Sequence, residues 1–550
     1  MIGATTTMAY YTDFRDYLDK LEAAGRLHRI ARTVDKDREL HPLVKWQYRG
    51  LAEEDRFGFL FESVTDRDGR PCNGRVASSV IAANREMYAL AMGCPVDELH
   101  ERWSHALDRL IPPEQVATGA VKEEIHKGDG LLQHGGLHEF GIPFATNGWE
   151  AFPRVTAASC VTRDPDSGHL NAGMYNSIVL GAGRANVRTA RHLRRHWEKC
   201  RARGEPLPAA IAVGVPPVLS LVAATNVPQS VSEFDAAGGL IGEAIPVVQC
   251  ETSDILVPAT AEVVIEGTIP IDIMDLDGPS GENRGHVMPG HWVHAFEVTC
   301  ITHRRDPIWH DVICQLPPSE SSVMRCVNSE GHVTALLRAH GISQVKDVAF
   351  HDCGSAKNLC VVRFHDVAGV RTANSKVWHA LFTVMSADAA WPKIVIGVDD
   401  DIDPWDLESV FWAVTNRYQP HRDLKVIQGR SAGLDESVGP RDVPGGMRGY
   451  PTSLTSPQGA SAMLMDATRK WANPPISLPR RDYMERAREL WEELELPPLR
   501  PKAPWHGVSL GHWPDAEAEL VALSEAGRMD EAAARLLRKS RNLTGDADAD

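Results

Sequence analysis

Hydrophobic positions near the start of the chain fall at helical spacing. Phe14, Leu18 and Leu21 share one face, which predicts an opening helix from Tyr11 to about Arg32. Short strands and helices follow to about Gly128, among them the strand-like Phe57-Gly58-Phe59-Leu60-Phe61. The stretch His134-Gly135-Gly136-Leu137-His138 reads as a linker because paired glycines interrupt both periodicities. Beyond it the texture changes. Val155 to Thr162, Ala261 to Glu266 and Phe296 to Thr302 predict strands punctuated by Gly, Pro and Asp, hence a β-rich, barrel-like domain from about 130 to 320. From about 321 strands and helices alternate, as in Lys393 to Val398 followed by an acidic turn, Asp399 to Asp403, and a helix. The longest mainly apolar stretch, Leu207 to Ala224, is broken by Gly214 and Pro216-Pro217 and reads as a buried strand, a turn and a second apolar segment rather than a membrane span. Pro474-Pro475 and Pro497-Pro498 mark loose segments, Ala516 to Leu537 is helical, and the tail Gly545 to Asp550 is expected to be disordered.

Composition narrows the function classes. At 550 residues the chain is too long for one core, so two or three domains are expected. A formal net charge of −16 argues against nucleic-acid and anionic-lipid partners, which need basic surface. The first turns carry Asp13, Arg15 and Asp16, with no basic-then-apolar leader, so the expected location is the cytoplasm. The ten cysteines include no CxxC pair, which removes the usual zinc and redox signatures and leaves reduced, mostly buried thiols.

Four segments could carry chemistry. In Asp277-Gly278-Pro279-Ser280-Gly281-Glu282, two carboxylates flank residues that let the backbone turn sharply. Such a pair can divide its work, one group donating a proton while the other stays charged; the alternative is an ordinary surface turn. Gly181-Ala182-Gly183-Arg184-Ala185-Asn186 imitates a dinucleotide-binding turn but has Asn186 where the third glycine belongs, and is read as a false match. His192 and His196 share a helical face, yet Arg191, Arg194 and Arg195 crowd it, so the pair reads as a solvated basic face from which one histidine could join oxygen ligands around magnesium or manganese. Lys393 could meet a ligand phosphate, or simply pair with Asp399 to Asp403.

Taken in order, several blocks resemble the UbiD-type decarboxylases. They are Val161-Thr162-Arg163-Asp164-Pro165, Asn171 to Tyr175, Val231-Ser232-Glu233-Phe234, Ala237 to Glu243, Cys250-Glu251-Thr252, Val257-Pro258-Ala259 and Ala261 to Gly267. The acidic loop, Pro317-Pro318-Ser319-Glu320, Lys393 with Val398 to Asp403, and Met465-Asp466-Ala467-Thr468 complete the series, which spans about residues 10 to 480.

The resemblance implies an N-terminal α/β region (1–129), a split β-barrel like that of flavin reductases that holds prenylated FMN (130–320), a C-terminal α/β oligomerisation domain (321–480), and a helical extension with an acidic tail (481–550). It implies Asn171, His192 and Glu233 as ligands of a divalent metal (manganese or magnesium) which, with a potassium ion, holds the flavin phosphate, and returns His196 to the solvated face. Further cofactor contacts fall to Tyr175, Asn176, Arg191 and Lys393. The implied reaction is reversible, non-oxidative decarboxylation of an aromatic, heteroaromatic or α,β-unsaturated acid, with Glu282 as proton donor and a homodimer or larger homo-oligomer as the assembly. A flavin prenyltransferase would supply the cofactor. Asp277 stands where many members carry glutamate, and Asn176 stands where the family has its active-site arginine. Substrate anchoring is therefore expected elsewhere, with Arg284, His286 and His291 as candidates. Two other readings are a cofactor-binding or scaffolding subunit of a larger complex that has lost turnover, and a plain flavin oxidoreductase.

Overall fold

The computed structural model describes residues 10–225, 227–365, 373–387, 392–430, 435, 437, 460–471, 473–500 and 513–540. The tail from 541 onward lies outside them. The opening helix is shorter than its periodicity suggests, Phe14–Ala23, with Asp13 capping its N-terminus through the Asp16 amide. Gly25 ends it in a left-handed turn (φ 69°), and the chain leaves as the strand Leu27–Ile30. That strand joins a mixed four-stranded sheet ordered Leu27–Ile30, Gly58–Phe61, Arg75–Ser78, Ile308–Asp311.

A ten-stranded sheet forms the centre, and every pairing in it is antiparallel. Its spine runs Leu170–Met174, Ser159–Arg163, Leu207–Val213, Val263–Ile269, Trp292–His303, Arg184–Val187, Ser177–Gly181, Arg154–Val155. Alternation divides its side chains between two cores. Val161, Ala210, Ala212 and Val264 join one, while Cys160, Ala209, Ile211, Val263 and Ile265 join the other with Phe296 and Trp309. Leu207–Val213 is the buried strand expected in the apolar stretch, and Pro217–Ala223 after it is a short buried helix.

The sheets cross the expected domain borders. Glu124–Lys127, before 130, pairs with Trp292–His303 in the central sheet, and Ile308–Asp311, before 320, pairs with Arg75–Ser78 in the first sheet. Neither exchange leaves a local pattern, because it depends on which edges remain unpaired.

The third sheet runs Val345–Phe350, Leu359–Phe364, Ile394–Val398, Ala460–Asp466, Leu424–Arg430, with parallel pairing at its centre. Cys360, Val362, Phe364 and Val395 face the helices Glu320–Ala339 and Ala373–Ser386, while Val361, Ile396 and Val398 face Leu407–Arg417. Helices on both faces account for the unbroken apolar run of the central strand Ile394–Val398. The last helical stretch is two helices, Asp515–Glu525 and Met529–Leu537, both largely exposed. Among the described residues, no helix is long and apolar enough to cross a membrane, and all ten cysteines are unpaired.

Candidate functional site

The three expected metal ligands converge. Asn171 lies on the strand Leu170–Met174, His192 in the first turn of the helix Arg191–Arg203, and Glu233 in the first turn of the helix Glu233–Ile241. His192 Nδ1 stands 2.9 Å from Asn171 Oδ1 and 3.7 Å from Glu233 Oε1. Glu233 is steadied by the Ala172 amide, which donates to Oε2 at 2.8 Å. Asn171 turns its oxygen into this cluster although its Nδ2 is left buried without a hydrogen-bond partner. One amide oxygen, one imidazole and one carboxylate fit a hard divalent ion. Next to them, Arg191 adopts φ 51°, the helix it opens has no side-chain cap, and its Leu193 amide turns to the Tyr175 hydroxyl. Gly173 leaves room for the Tyr175 ring, which folds back to where a Cβ would stand 2.3 Å from it.

His196 departs from the solvated face. It is buried, 3.0 Å from Thr162 Oγ1, and burial pulls its pKa down to about 4, partly offset by Asp164. The Gly181 segment is the turn of a β-hairpin between Ser177–Gly181 and Arg184–Val187, not a strand-to-helix turn, so the described residues offer no dinucleotide site there.

The acidic loop is not a surface turn. Asp277 is fully buried and Glu282 is 6% exposed. Asp277 is gripped by Arg188: Nε donates to Oδ2 at 2.6 Å, and a guanidinium Nη2 contacts the same oxygen and Ser280 Oγ. Behind this pair lies a second. Arg154 Nη2 is 3.7 Å from Asp277 Oδ1, and Arg154 Nε is 3.5 Å from Glu150 Oε1. Glu150 accepts from the Gly281 and Ala145 amides at 2.9 and 3.1 Å. Two carboxylates and two guanidinium groups thus alternate, which is how buried charge is tolerated.

Glu282 is held by backbone instead. The Arg284 and His286 amides donate to its two oxygens at 2.9 and 3.2 Å. These two residues, expected to anchor substrate, thus support Glu282, and neither lines the adjoining cavity; nor does His291. That cavity, of about 240 Å³, is bounded by Tyr175, Asn176, Arg188, Glu282, Met324 and Arg325, among others. Arg325 projects from the helix Glu320–Ala339, and its buried Nη1 has no hydrogen-bond partner. Burial pulls its pKa down, opposed by Cys314 and Glu282. Lys393 stands apart, donating to Asp435 at 2.9 Å and Ser437 at 2.6 Å, and the acidic turn binds Arg417 rather than Lys393.

The sequence reading did not find Arg188, Arg154, Glu150 or Arg325. For Arg188 there was a signal. Asn176 and Arg188 flank the two ends of the 177–187 hairpin, which brings the Arg188 amide within 3.5 Å of the Asn176 carbonyl. The hairpin thus sets Arg188 directly beside Asn176.

Comparison with known proteins places the chain in a family. Residues 122–317 match the model of the UbiD family, 3-octaprenyl-4-hydroxybenzoate carboxy-lyase Rift-related domain, and residues 322–449 match that family's C-terminal domain. An uncharacterized protein of Archaeoglobus fulgidus is 30% identical over 321 residues, 58% of this chain and 62% of that relative. The UbiD-class enzyme HmfF from Pelotomaculum thermopropionicum, solved with FMN, is 29% identical with a TM-score of 0.73 over 86% of this chain and 99% of its own. An evolved dimeric form of it, solved with prFMN, is 28% identical with a TM-score of 0.71, covering 85% and 97%. Vanillic acid decarboxylase from Sedimentibacter hydroxybenzoicus, solved in an open form, shares the fold at a TM-score of 0.72 and 24% identity, covering 89% and 100%.

Proposed function

Because the chain belongs to the UbiD family, we propose that it is a carboxy-lyase catalysing reversible, non-oxidative decarboxylation of a small aromatic, heteroaromatic or α,β-unsaturated acid. The observation that carries the reading is one cavity bordered by Glu282, by Arg188 in its pair with Asp277, and by Arg325, with Tyr175 and Asn176 linking it to the Asn171–His192–Glu233 cluster. That cluster fits a divalent ion, manganese or magnesium, which with potassium would hold the phosphate of prenylated FMN. The cofactor, made by a flavin prenyltransferase, would supply the electron sink for loss of carbon dioxide. The protein supplies the rest. Arg325 Nη1 takes an oxygen of the acid, Asp277 fixes the Arg188 guanidinium at the wall, and Glu282 delivers a proton to the carbon that has lost its carboxyl group. The segment matching the Rift-related model would form the cofactor domain, with the 321–480 region driving association into a dimer or larger homo-oligomer in the cytoplasm. Lys393 would contact phosphate only after release from Asp435.

About 240 Å³ is below the ~300 Å³ at which ligand pockets usually begin, so a flavin ring and an acid together require the walls to part. Small ring acids should therefore be preferred to long-chain ones. The alternative of a non-catalytic cofactor-binding subunit rests on the missing arginine at Asn176, which Arg188 offsets.

The test is carbon dioxide release, and hydrogen–deuterium exchange at the same carbon, from a panel of unsaturated and ring acids with flavin-loaded protein. Glu282→Gln should lower both at least ~10²-fold and leave flavin absorbance unchanged. Absence of release and exchange across the panel would leave only the non-catalytic reading.

A further inference from the structure

A second cluster of ligand-type side chains lies away from the flavin site, on the opposite end of the strand Trp292–His303. His126, on the strand Glu124–Lys127, pairs in register with Ile301, so its side chain shares a face with His303 one step along. The two Nε2 atoms stand 2.9 Å apart with the rings stacked at 5.1 Å. Glu139 closes the group, its Oε1 3.6 Å from His303 Nε2. Ligand atoms of all three lie within 4.8 Å of one another. Among the described residues this is the one group of three His, Cys, Asp or Glu side chains with metal-ligand spacing.

The hydrogen bonds around the group orient it. His303 Nδ1 is 2.8 Å from the Arg304 carbonyl, which can only accept, so the ring proton sits on Nδ1 and Nε2 presents a lone pair. His303 Nε2 thus faces two acceptor-type atoms, His126 Nε2 at 2.9 Å and Glu139 Oε1 at 3.6 Å, and a cation set among the three would be shared by all of them. Glu139 Oε1 also accepts from Asn73 Nδ2 at 3.3 Å, and the Phe140 ring packs edge-on against His303. A carbonyl behind one ligand and an amide beside another is the support that metal sites need. The turn carrying Glu139 is also fixed. Gly136 has φ 58°, a Cβ on it would stand 2.3 Å from the Ala182 carbonyl oxygen, and the Leu137 amide donates to that same oxygen at 2.8 Å. An open cavity of about 1010 Å³ borders all three ligands and also His134, whose ring lies 4.9 Å from that of His126.

We propose that His126, Glu139 and His303 bind one divalent ion of the zinc class, with water or His134 filling the position toward the cavity. Two imidazoles and one carboxylate match the donor preference of zinc, and of cobalt as its stand-in. With each nitrogen ~2.05 Å from the ion, a 2.9 Å separation subtends about 90°, so the rings open by about 0.5 Å to reach tetrahedral spacing. The ion ties three segments, 124–127, 136–139 and the end of 292–303, into one clip.

The probe is Co²⁺ added to metal-stripped full-length protein carrying His192→Ala, which removes a ligand of the flavin-side cluster. One equivalent should bind with visible d–d absorption, and adding His126→Ala with His303→Ala should weaken binding at least tenfold. Glu139→Gln, which keeps the side chain's shape, should do the same and serves where the histidine variants fail to fold. Zn²⁺ should raise the melting temperature of the His192→Ala protein and not that of the Glu139→Gln, His192→Ala protein. Binding that is unchanged by these substitutions, or no Co²⁺ bound by the His192→Ala protein, overturns the proposal.

Discussion

The Arg188–Asp277 pair decides how charge is kept in the cavity wall. Asp277 is 1% exposed and Arg188 18%, so removing the arginine leaves a buried carboxylate without its main charged partner. Arg188→Ala should therefore cost about 3 kcal/mol of folding stability in urea denaturation, well above the effect of a surface ion pair. The neighbouring Arg154 limits the damage, since its Nη2 already lies 3.7 Å from Asp277 Oδ1. Because Asn176 is across the hairpin from Arg188, Asn176→Arg in the Arg188→Ala background should restore part of the lost stability by offering Asp277 a guanidinium from the opposite arm. A double variant no more stable than the single one would show that position 176 does not reach the carboxylate. In the native background the same Asn176→Arg change adds a second cation beside Arg188 and should weaken turnover of the native acid.

At the level of elements, the loop from Asp277 to Glu282 passes at Gly281 through a space with no room for a side chain. Ser280–Gly281 pairs with Val287–Met288, and the Gly281 amide is spent on Glu150. A Cβ on Gly281 would stand 2.3 Å from Thr146 Oγ1 and 2.4 Å from Gln315 Cγ, and Gln315 is itself held at φ 78°. Gly281→Ala should shift Glu282 by a few tenths of an ångström, cut kcat at least about tenfold, and leave flavin affinity nearly unchanged; equal loss in both would mean that the loop also shapes the flavin site. The loop's composition was legible in the sequence, as were its two carboxylates, because turn formers and acids announce themselves locally. Its partners were not. Arg154, Glu150 and Arg325 meet it from a strand end, a loop and a helix whose own patterns say nothing of one another. Arg188 was in between: reading 177–187 as a hairpin rather than as a failed dinucleotide turn brings the arginine opposite Asn176 at once. The 134–138 stretch shows the converse error. Its glycines suggested a linker, whereas Gly136 lets the turn press against Ala182, and Glu139 just beyond it stands beside two histidines.

For the molecule as a whole, the exchange of strands between the first two sheets makes their folding interdependent, and the strand Ile308–Asp311 carries a titratable group into that junction. His310 is 1% exposed, packs 4.7 Å from the Phe14 ring, and neither ring nitrogen has a hydrogen-bond partner. Burial, only partly offset by Asp311, pulls its pKa down to about 4. An unfolded histidine titrates near 6.5, so between about pH 6.5 and 4 the unfolded chain binds a proton that the folded one refuses. Stability is thus fully present above 6.5 and drains away as pH falls through that window. At ~1.4 kcal/mol per pKa unit this one group contributes about 3 kcal/mol to the decline. His196 and His294, also drawn down to about 4 by burial, act in the same direction. Urea midpoints measured from pH 7 to pH 4 should therefore fall steeply, and His310→Leu should flatten the curve by removing the proton acceptor while keeping an apolar contact with Phe14. A His310→Leu curve parallel to that of the parent would mean that the ring is already hydrated or paired in the folded state, and that acid sensitivity arises elsewhere.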